Sequence, residues 1–229
     1  MRVVVVGGAG GIGRAVVERF AGVGFEVHTV GRTAGRVDHV VDVADGDAVA
    51  ACMMAIGEVD VLVYSAGTGG SMQPFWTTEP SHIDSSVSGN VLGLLHCVRS
   101  VLPGMVERGS GHLILIGSVA ALYPIPSATY SATKAAGHTL AQSLRVELFG
   151  TGVRVTEVSP GRVDTGFVKG GVGPQPRGED LLQAADVADA VWFAASSRSS
   201  VQISHIELTS AMQALGGSRF VIRENEEKQ

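Results

Sequence analysis

Seven short runs of apolar residues, at 2–6, 25–30, 37–41, 59–64, 112–117, 153–158 and 205–208, alternate with longer stretches of helical pattern. The runs are rich in Val and Ile and mostly continuous rather than alternating, the pattern of strands covered on both faces. The stretches between them, 12–21, 45–56, 82–107, 128–149 and 184–196, carry helical periodicity. Strand, helix, strand, repeated in this way, gives right-handed crossovers and a parallel sheet. The expectation is an α/β chain with one doubly wound parallel sheet of about seven strands. A length of 229 residues fits one domain, over 1–222, followed by a charged tail at 223–229. With 45% hydrophobic and 17% charged residues, a large core is available and disorder is excluded. No internal repeat is visible.

The formal net charge of −5 argues against a nucleic-acid partner, which would need a basic face. No apolar run reaches about 18 residues, so no membrane partner is expected. Met1–Val6 is too short for a signal sequence and reads as a buried first strand. Cys52 and Cys97 form no C-x-x-C pattern, so neither a disulfide framework nor a metal site is expected. They read as reduced core thiols of a cytoplasmic protein. The 31 glycines are about twice ordinary usage, and the surplus serves tight turns or close approach of backbone to a ligand.

Gly7-Gly8-Ala9-Gly10-Gly11-Ile12-Gly13 follows the first run and opens a helix. Glycines at 7, 11 and 13 permit a tight turn, and the helix N-terminus offers N–H groups and a positive dipole end to a pyrophosphate. A glycine run alone is weak; the strand before it and the helix after it give it meaning. Glycine- or proline-rich segments also lie at 67–74, 124–127 and 160–177. In a doubly wound sheet, ligands bind outside the carboxyl ends of the strands, where 7–13, 67–74 and 160–177 meet. The second strand ends in Gly31-Arg32-Thr33, without the acid that would bind a ribose 2′-OH. Arg32 can accommodate a 2′-phosphate instead, the alternative being a solvated surface arginine. Arg14 either assists or is solvated. Asp42 either accepts a hydrogen bond from an adenine amino group or caps the next helix.

Tyr130 and Lys134 lie four apart at the start of a long helix and share one face. A lysine there can lower the phenol's pKa, and such a phenol can exchange a proton with a carbonyl or alcohol oxygen. Ser118, at the end of the fifth run, could bind the same oxygen. Asn90 sits mid-helix, where Asn is a poor helix former; a job such as holding a water that links to Lys134 would explain it. Singly each arises by chance; in this order behind a glycine loop they form a constellation.

With those residues in place, the chain resembles the classical short-chain dehydrogenase/reductase family over nearly its whole length. The carriers are Gly7-x3-Gly11-Ile12-Gly13, Asp42-Val43, Ala66-Gly67, Asn90, Ser118, Tyr130-x3-Lys134 and Ser159-Pro160-Gly161 with Thr165. The segments 101–108, 186–192 and 203–213 are similar to NADP-dependent 3-hydroxy acid (serine) dehydrogenases of that family. The resemblance implies a Rossmann-type fold, NADP(H) as cofactor and a catalytic tetrad of Asn90, Ser118, Tyr130 and Lys134. It implies that Lys134 also binds the nicotinamide ribose. It further implies that Val163 backbone and Thr165 hydroxyl meet the carboxamide. It also implies a homo-oligomer, dimer or tetramer, pairing through 82–107 and 128–149, where Val87, Val91, Leu94, Leu95, Val98, Leu140 and Leu144 are candidates. Three departures stand out. Val6 replaces a Thr, Tyr64-Ser65 replaces an Asn pair that would brace neighbouring strands, and the Ser118–Tyr130 interval is one residue short.

The segment 166–180 is expected to cover the cleft as a lid. Thr68, Met72, Tyr123, Arg162 and Phe167 are the candidate substrate contacts. A 3-hydroxy acid would need a cation, from Arg162 or Lys169; without one, an apolar aldehyde or ketone fits better. The expected activity is NADPH-dependent reduction of a small aldehyde, ketone or 3-oxo acid, and its reverse. The alternative is a catalytically silent NADP-binding sensor or scaffold.

Overall fold

The computed structural model describes residues 1–69, 74–165 and 181–213. Seven strands, β1 (Arg2–Val6), β2 (Glu26–Gly31), β3 (His39–Val40), β4 (Val61–Tyr64), β5 (Gly111–Ile116), β6 (Val153–Pro160) and β7 (His205–Leu208), form one sheet. Their spatial order is β3-β2-β1-β4-β5-β6-β7, and every pairing is parallel. Helices α1 (Gly11–Ala21), α2 (Gly46–Ile56), α3 (Pro80–Val87), α4 (Gly93–Glu107), α5 (Ala128–Glu147) and α6 (Ala184–Ser196) cover it.

Successive strand residues point to opposite faces, so a continuous valine run feeds two cores at once. Val4 and Val6 pack with Val49, Cys97, Val98 and Leu144 of α2, α4 and α5. Val3 and Val5 pack with Val16 and Phe20 of α1 and Val187 and Val191 of α6. Both cysteines are free and buried in the first of these cores.

The strand expected at 37–41 is reduced to His39–Val40. Asp38 accepts from the Thr29 amide (2.8 Å) and hydroxyl (2.7 Å), and the Asp38 amide donates back to that hydroxyl (2.8 Å). These bonds take the place of ladder pairing at the start of the segment. The helix expected at 82–107 starts earlier, with Pro80 in its first turn, and is interrupted by a π turn at Ser88–Leu92. The span Pro80–Glu107 is long and apolar enough, by length and composition, to cross a membrane. Its apolar side chains Leu94, Cys97, Val98, Val101 and Met105 are packed on the sheet. Of the residues expected on a pairing face, Leu94, Val98 and Leu144 are likewise core, whereas Val87 and Leu95 are exposed. The lid at 166–180 and the tail at 223–229 lie outside the described residues.

The chain reverses its winding direction between β1 and β4, which are adjacent in space. The crevice at the carboxyl ends of these strands is where a doubly wound sheet takes a ligand.

Candidate active site at the carboxyl ends of the strands

β1 runs into Gly7, whose φ of 85° suits glycine and whose amide donates to Val30 O at 2.7 Å. A Cβ there would lie 2.6 Å from the Ala66 amide nitrogen, so Gly7 and Ala66-Gly67 pass at contact distance. A Cβ on Gly11 would lie 2.6 Å from Thr165 Cβ, which places the Pro160–Thr165 turn against the loop. Gly8 abuts Thr29, and Gly13 abuts the Gly7 carbonyl. Helix α1 starts after Gly10 with no side-chain cap and no acid in its first turn. The amides of Gly11, Ile12 and Gly13 have no acceptor within the helix, and the dipole's positive end is uncompensated. A backbone cradle walled by these close approaches fits a dinucleotide pyrophosphate.

Arg32 is exposed at the end of β2 and has no hydrogen bond or ion pair among the described residues. Thr33 beside it is exposed, and its carbonyl accepts from the Arg36 amide at 3.2 Å. The Arg36 guanidinium reaches back to Ala9 O at 3.5 Å, bringing a second cation to the mouth of the glycine loop. Sequence reasoning passed over Arg36; its signal is the turn that folds 33–36 back toward the loop. Asp42 is not the cap of α2: Asp45 fills that role, accepting from the Ala48 amide at 3.0 Å. Asp42 instead closes the preceding turn by accepting from Ala44 at 3.1 Å. Val43 is buried under that turn, where a Cβ on Gly93 would meet it.

Ser118 ends β5 and opens the short 3-10 turn Val119–Ala121, its Oγ accepting from the Ala120 amide at 3.1 Å. A hydrogen bond links the Ser118 and Tyr130 side chains, and it lowers the phenol's pKa. Burial is the larger influence and pushes Tyr130 above the ordinary range. The net direction is therefore upward, where lowering by Lys134 was expected. The Lys134 Nζ stands 5.8 Å from the ring centroid and donates to Ile116 O at 2.9 Å, so its charge is turned toward β5. Burial pulls Lys134 down to about 8, against the charge of Glu157, which favours the ammonium.

Asn90 lies in the π turn, not in a regular helix, and is buried. Its Oδ1 accepts from the Thr68 amide at 2.8 Å, and its Nδ2 donates to Thr68 O at 3.1 Å and to Thr133 Oγ1 at 2.9 Å. It thus clamps the end of the β4 loop to α5. A cavity of about 20 Å³, lined by Asn90, Lys134, Thr133, Ile116 and Glu157 among others, separates Asn90 from Lys134. That volume holds one water. The bracing expected of the missing Asn pair is supplied by Tyr64, whose hydroxyl donates to Gly89 O at 2.5 Å and ties β4 to the π turn.

Among the substrate candidates, Thr68 has its backbone held by Asn90 and its hydroxyl 3.3 Å from Ser86 Oγ. Tyr123 closes the 3-10 turn, its amide donating to Val119 O at 2.8 Å. Pro160 ends β6, Gly161 donates to Leu208 O at 2.8 Å, and the Arg162 amide donates to Gln213 Oε1 at 3.0 Å. Val163 bridges to Leu182, so the start and end of the expected lid are paired. Met72, Phe167 and Lys169 lie outside the described residues.

The sequence profile described as short chain dehydrogenase matches residues 1–172. The NADP-dependent 3-hydroxy acid dehydrogenase YdfG of Salmonella typhi is 32% identical, with 95% of this chain and 98% of the relative covered. Sulfoacetaldehyde reductase 2 of Chromohalobacter salexigens is also 32% identical, with 93% and 95% covered. Among solved structures, the closed form of a serine dehydrogenase complexed with NADP+ superposes with a TM-score of 0.84 at 29% identity, covering 98% of this chain and 100% of that one. The relatives share the full span of the fold, and the matched profile includes the glycine loop, Ser118, Tyr130 and Lys134: the chain belongs to the short chain dehydrogenase family.

Proposed function

We propose that this protein is an NADP(H)-dependent oxidoreductase that interconverts a small aldehyde, ketone or 3-oxo acid with its alcohol, using Tyr130, Ser118, Lys134 and Asn90. The hydrogen bond between Ser118 and Tyr130 at the carboxyl end of β5, beside an uncapped glycine cradle, carries the reading. Bound there, the nicotinamide supplies or accepts the hydride. Ser118 and Tyr130 hold the carbonyl oxygen. Tyr130 is protonated at neutral pH, and gives its phenolic proton to that oxygen as the carbon is reduced. Lys134 lies close enough to stabilise the phenolate that remains. Asn90 holds Thr68 and Thr133 in place around the site. In the cofactor site, Gly7, Gly8, Gly11, Ile12 and Gly13 take the pyrophosphate, and Arg32 with Thr33 takes the 2′-phosphate. Asp42 and Val43 flank the adenine, and Ala66, Gly67, Pro160, Gly161, Val163 and Thr165 line the nicotinamide half. The relatives' names, which include a 3-hydroxy acid dehydrogenase and an aldehyde reductase, support a small polar substrate. Arg162 or Lys169 is the candidate cation for a substrate carboxylate. The protein acts as a homo-oligomer in the cytoplasm.

Following NADPH oxidation over a panel of aldehydes, ketones and 3-oxo acids tests the reaction. Tyr130→Phe should lower turnover by about 10²-fold or more while leaving NADPH binding intact. A Tyr130→Phe protein that turns over like its parent overturns the mechanism.

A further inference from the structure

Glu157 is a carboxylate in the middle of the sheet. It sits on β6 between Leu115 of β5 and His205 of β7 in the strand register, and is 1% exposed. An isolated buried carboxylate is strongly unfavourable without hydrogen bonds and a counter-charge. Its hydrogen bonds are accounted for. Ser159 Oγ donates to Oε1 at 3.1 Å, and His138 Nδ1 lies 2.6 Å from Oε2. The other ring nitrogen of His138 lies 2.9 Å from the exposed Gln142 amide. His138 is thus bound at both ring nitrogens, which fixes the ring against the carboxylate.

The counter-charge must come from what faces Glu157. From α5 these groups are Lys134, His138 and Arg145. Arg145, bound to Ser204 O at 2.9 Å and Val155 O at 3.4 Å, keeps a charge that Glu157 also favours, from the far side of His138 along α5. From β7, His205 brings a ring nitrogen within 4.8 Å of the Glu157 carboxylate and the His138 ring; its Nε2 has no hydrogen-bond partner among the described residues. From β4, the Tyr64 hydroxyl is held by Gly89 and kept neutral by burial. β5 contributes Gly117, on which a Cβ would collide with the Glu157 carboxylate. Lys134 remains. It is one helical turn before His138, on the same face of α5, and with Glu157 it lines the water-sized cavity.

We propose that Glu157 is a positioning residue of this site: its carboxylate, aligned by His138 and Ser159, is the buried counter-charge of the Lys134 ammonium. The charge that Lys134 presents to the reacting phenol is then set from behind the site by a β6 carboxylate. With Lys134 titrating at about 8, its charge is fully present at acid and neutral pH and is lost as pH rises through 8. Reduction should fall over the same interval.

The inference rests on the reaction proposed above for its importance, but its test does not need turnover. Lys134, Lys169 and Lys228 are the chain's three lysines, so 13C-labelled lysine gives a readable Cε titration. In the parent protein Lys134 should titrate near 8. Glu157→Gln should move it down by at least one pH unit. At pH 7 Lys134 would go from about nine-tenths charged to half or less. Glu157→Asp, which keeps the charge, should recover most of the shift. The alkaline limb of the reduction rate should move with the titration. Lys134→Met carries the reciprocal test in a chain with Glu157 intact, and does not depend on Glu157→Gln folding: the 13C-labelled Glu157 carboxyl should titrate at higher pH. Unmoved titrations in these variants overturn the role of Glu157. Moved titrations in a protein that reduces no carbonyl leave this coupling standing and overturn the reaction instead.

Discussion

We propose that Arg32 and Arg36 together select the dinucleotide. Gly31 stands where an acid would select NAD, and it brings neither charge nor bulk. Both arginines are exposed, Arg32 without a hydrogen bond or ion pair among the described residues and Arg36 only 3.5 Å from Ala9 O of the loop. A 2′-phosphate can therefore recruit them without breaking an ion pair. A hydrogen bond to a charged group contributes about 1.5–3 kcal/mol, or roughly 10–100-fold in affinity. Arg32→Ala should remove most of the preference for NADPH over NADH, and Arg32→Ala with Arg36→Ala should abolish it. Binding constants for both cofactors decide the point; equal affinities in the parent would contradict the assignment. Half of this was legible. Arg32 ends a strand and announces itself, but Arg36 approaches the loop only because the chain turns back between Thr33 and Arg36, and no spacing rule encodes that turn.

At the scale of elements, the inner strands were legible because a doubly buried strand must be largely apolar, and β1 and β5 fall within one residue of their apolar runs. β3 was overread: Val37–Val41 is apolar enough, but Asp38 is captured by Thr29 and leaves only two residues to pair. The π turn was invisible except as a misplaced asparagine. A π turn frees backbone groups from the regular ladder, and here Tyr64 and Asn90 bind across it. The Glu157–His138 pair was unreadable for a different reason. Its members are 19 residues apart and meet only when α5 packs on β6. The π turn yields a prediction. Asn90→Ala leaves the half-buried Thr68 amide and carbonyl without their partner, while the Thr133 hydroxyl keeps Tyr130 O. Each unsatisfied group costs about 1–3 kcal/mol, so chemical denaturation should show a loss of at least about 2 kcal/mol. Asn90→Asp, which can still accept from the Thr68 amide, should lose less. Equal stability of Asn90→Ala and the parent would remove Asn90 as the clamp.

At the scale of the molecule, some of the apolar residues that the subunit does not bury fall in one row. Val87 and Leu95 are exposed and Val91 is half-buried between them, a stripe at helical spacing along α3, the π turn and α4. The neighbouring α5 presents Ala132, Ala136, Thr139 and Ser143 on its exposed side, all small. Large residues on one helix beside small ones on the next form a surface that can pack against a copy of itself about a two-fold axis, each stripe seated on the other's small residues. Leu94, Val98 and Leu144 take no part, being core, so the pairing face is narrower than the composition of these helices suggests. The active site lies nearby, since α5 carries Tyr130 and Lys134 and the π turn carries Asn90. Pairing through these helices would therefore stiffen the tetrad from outside. A dimer of 23.6 kDa chains should scatter light as a particle of about 47 kDa, and a tetramer as twice that. Leu95→Glu with Val87→Glu places charge at both ends of the stripe without touching the core. It should lower the mass to that of one chain at micromolar concentration, with the circular dichroism spectrum retained. A parent protein that already runs as a single chain would contradict the assembly. A double variant that stays associated would instead move the interface to another face.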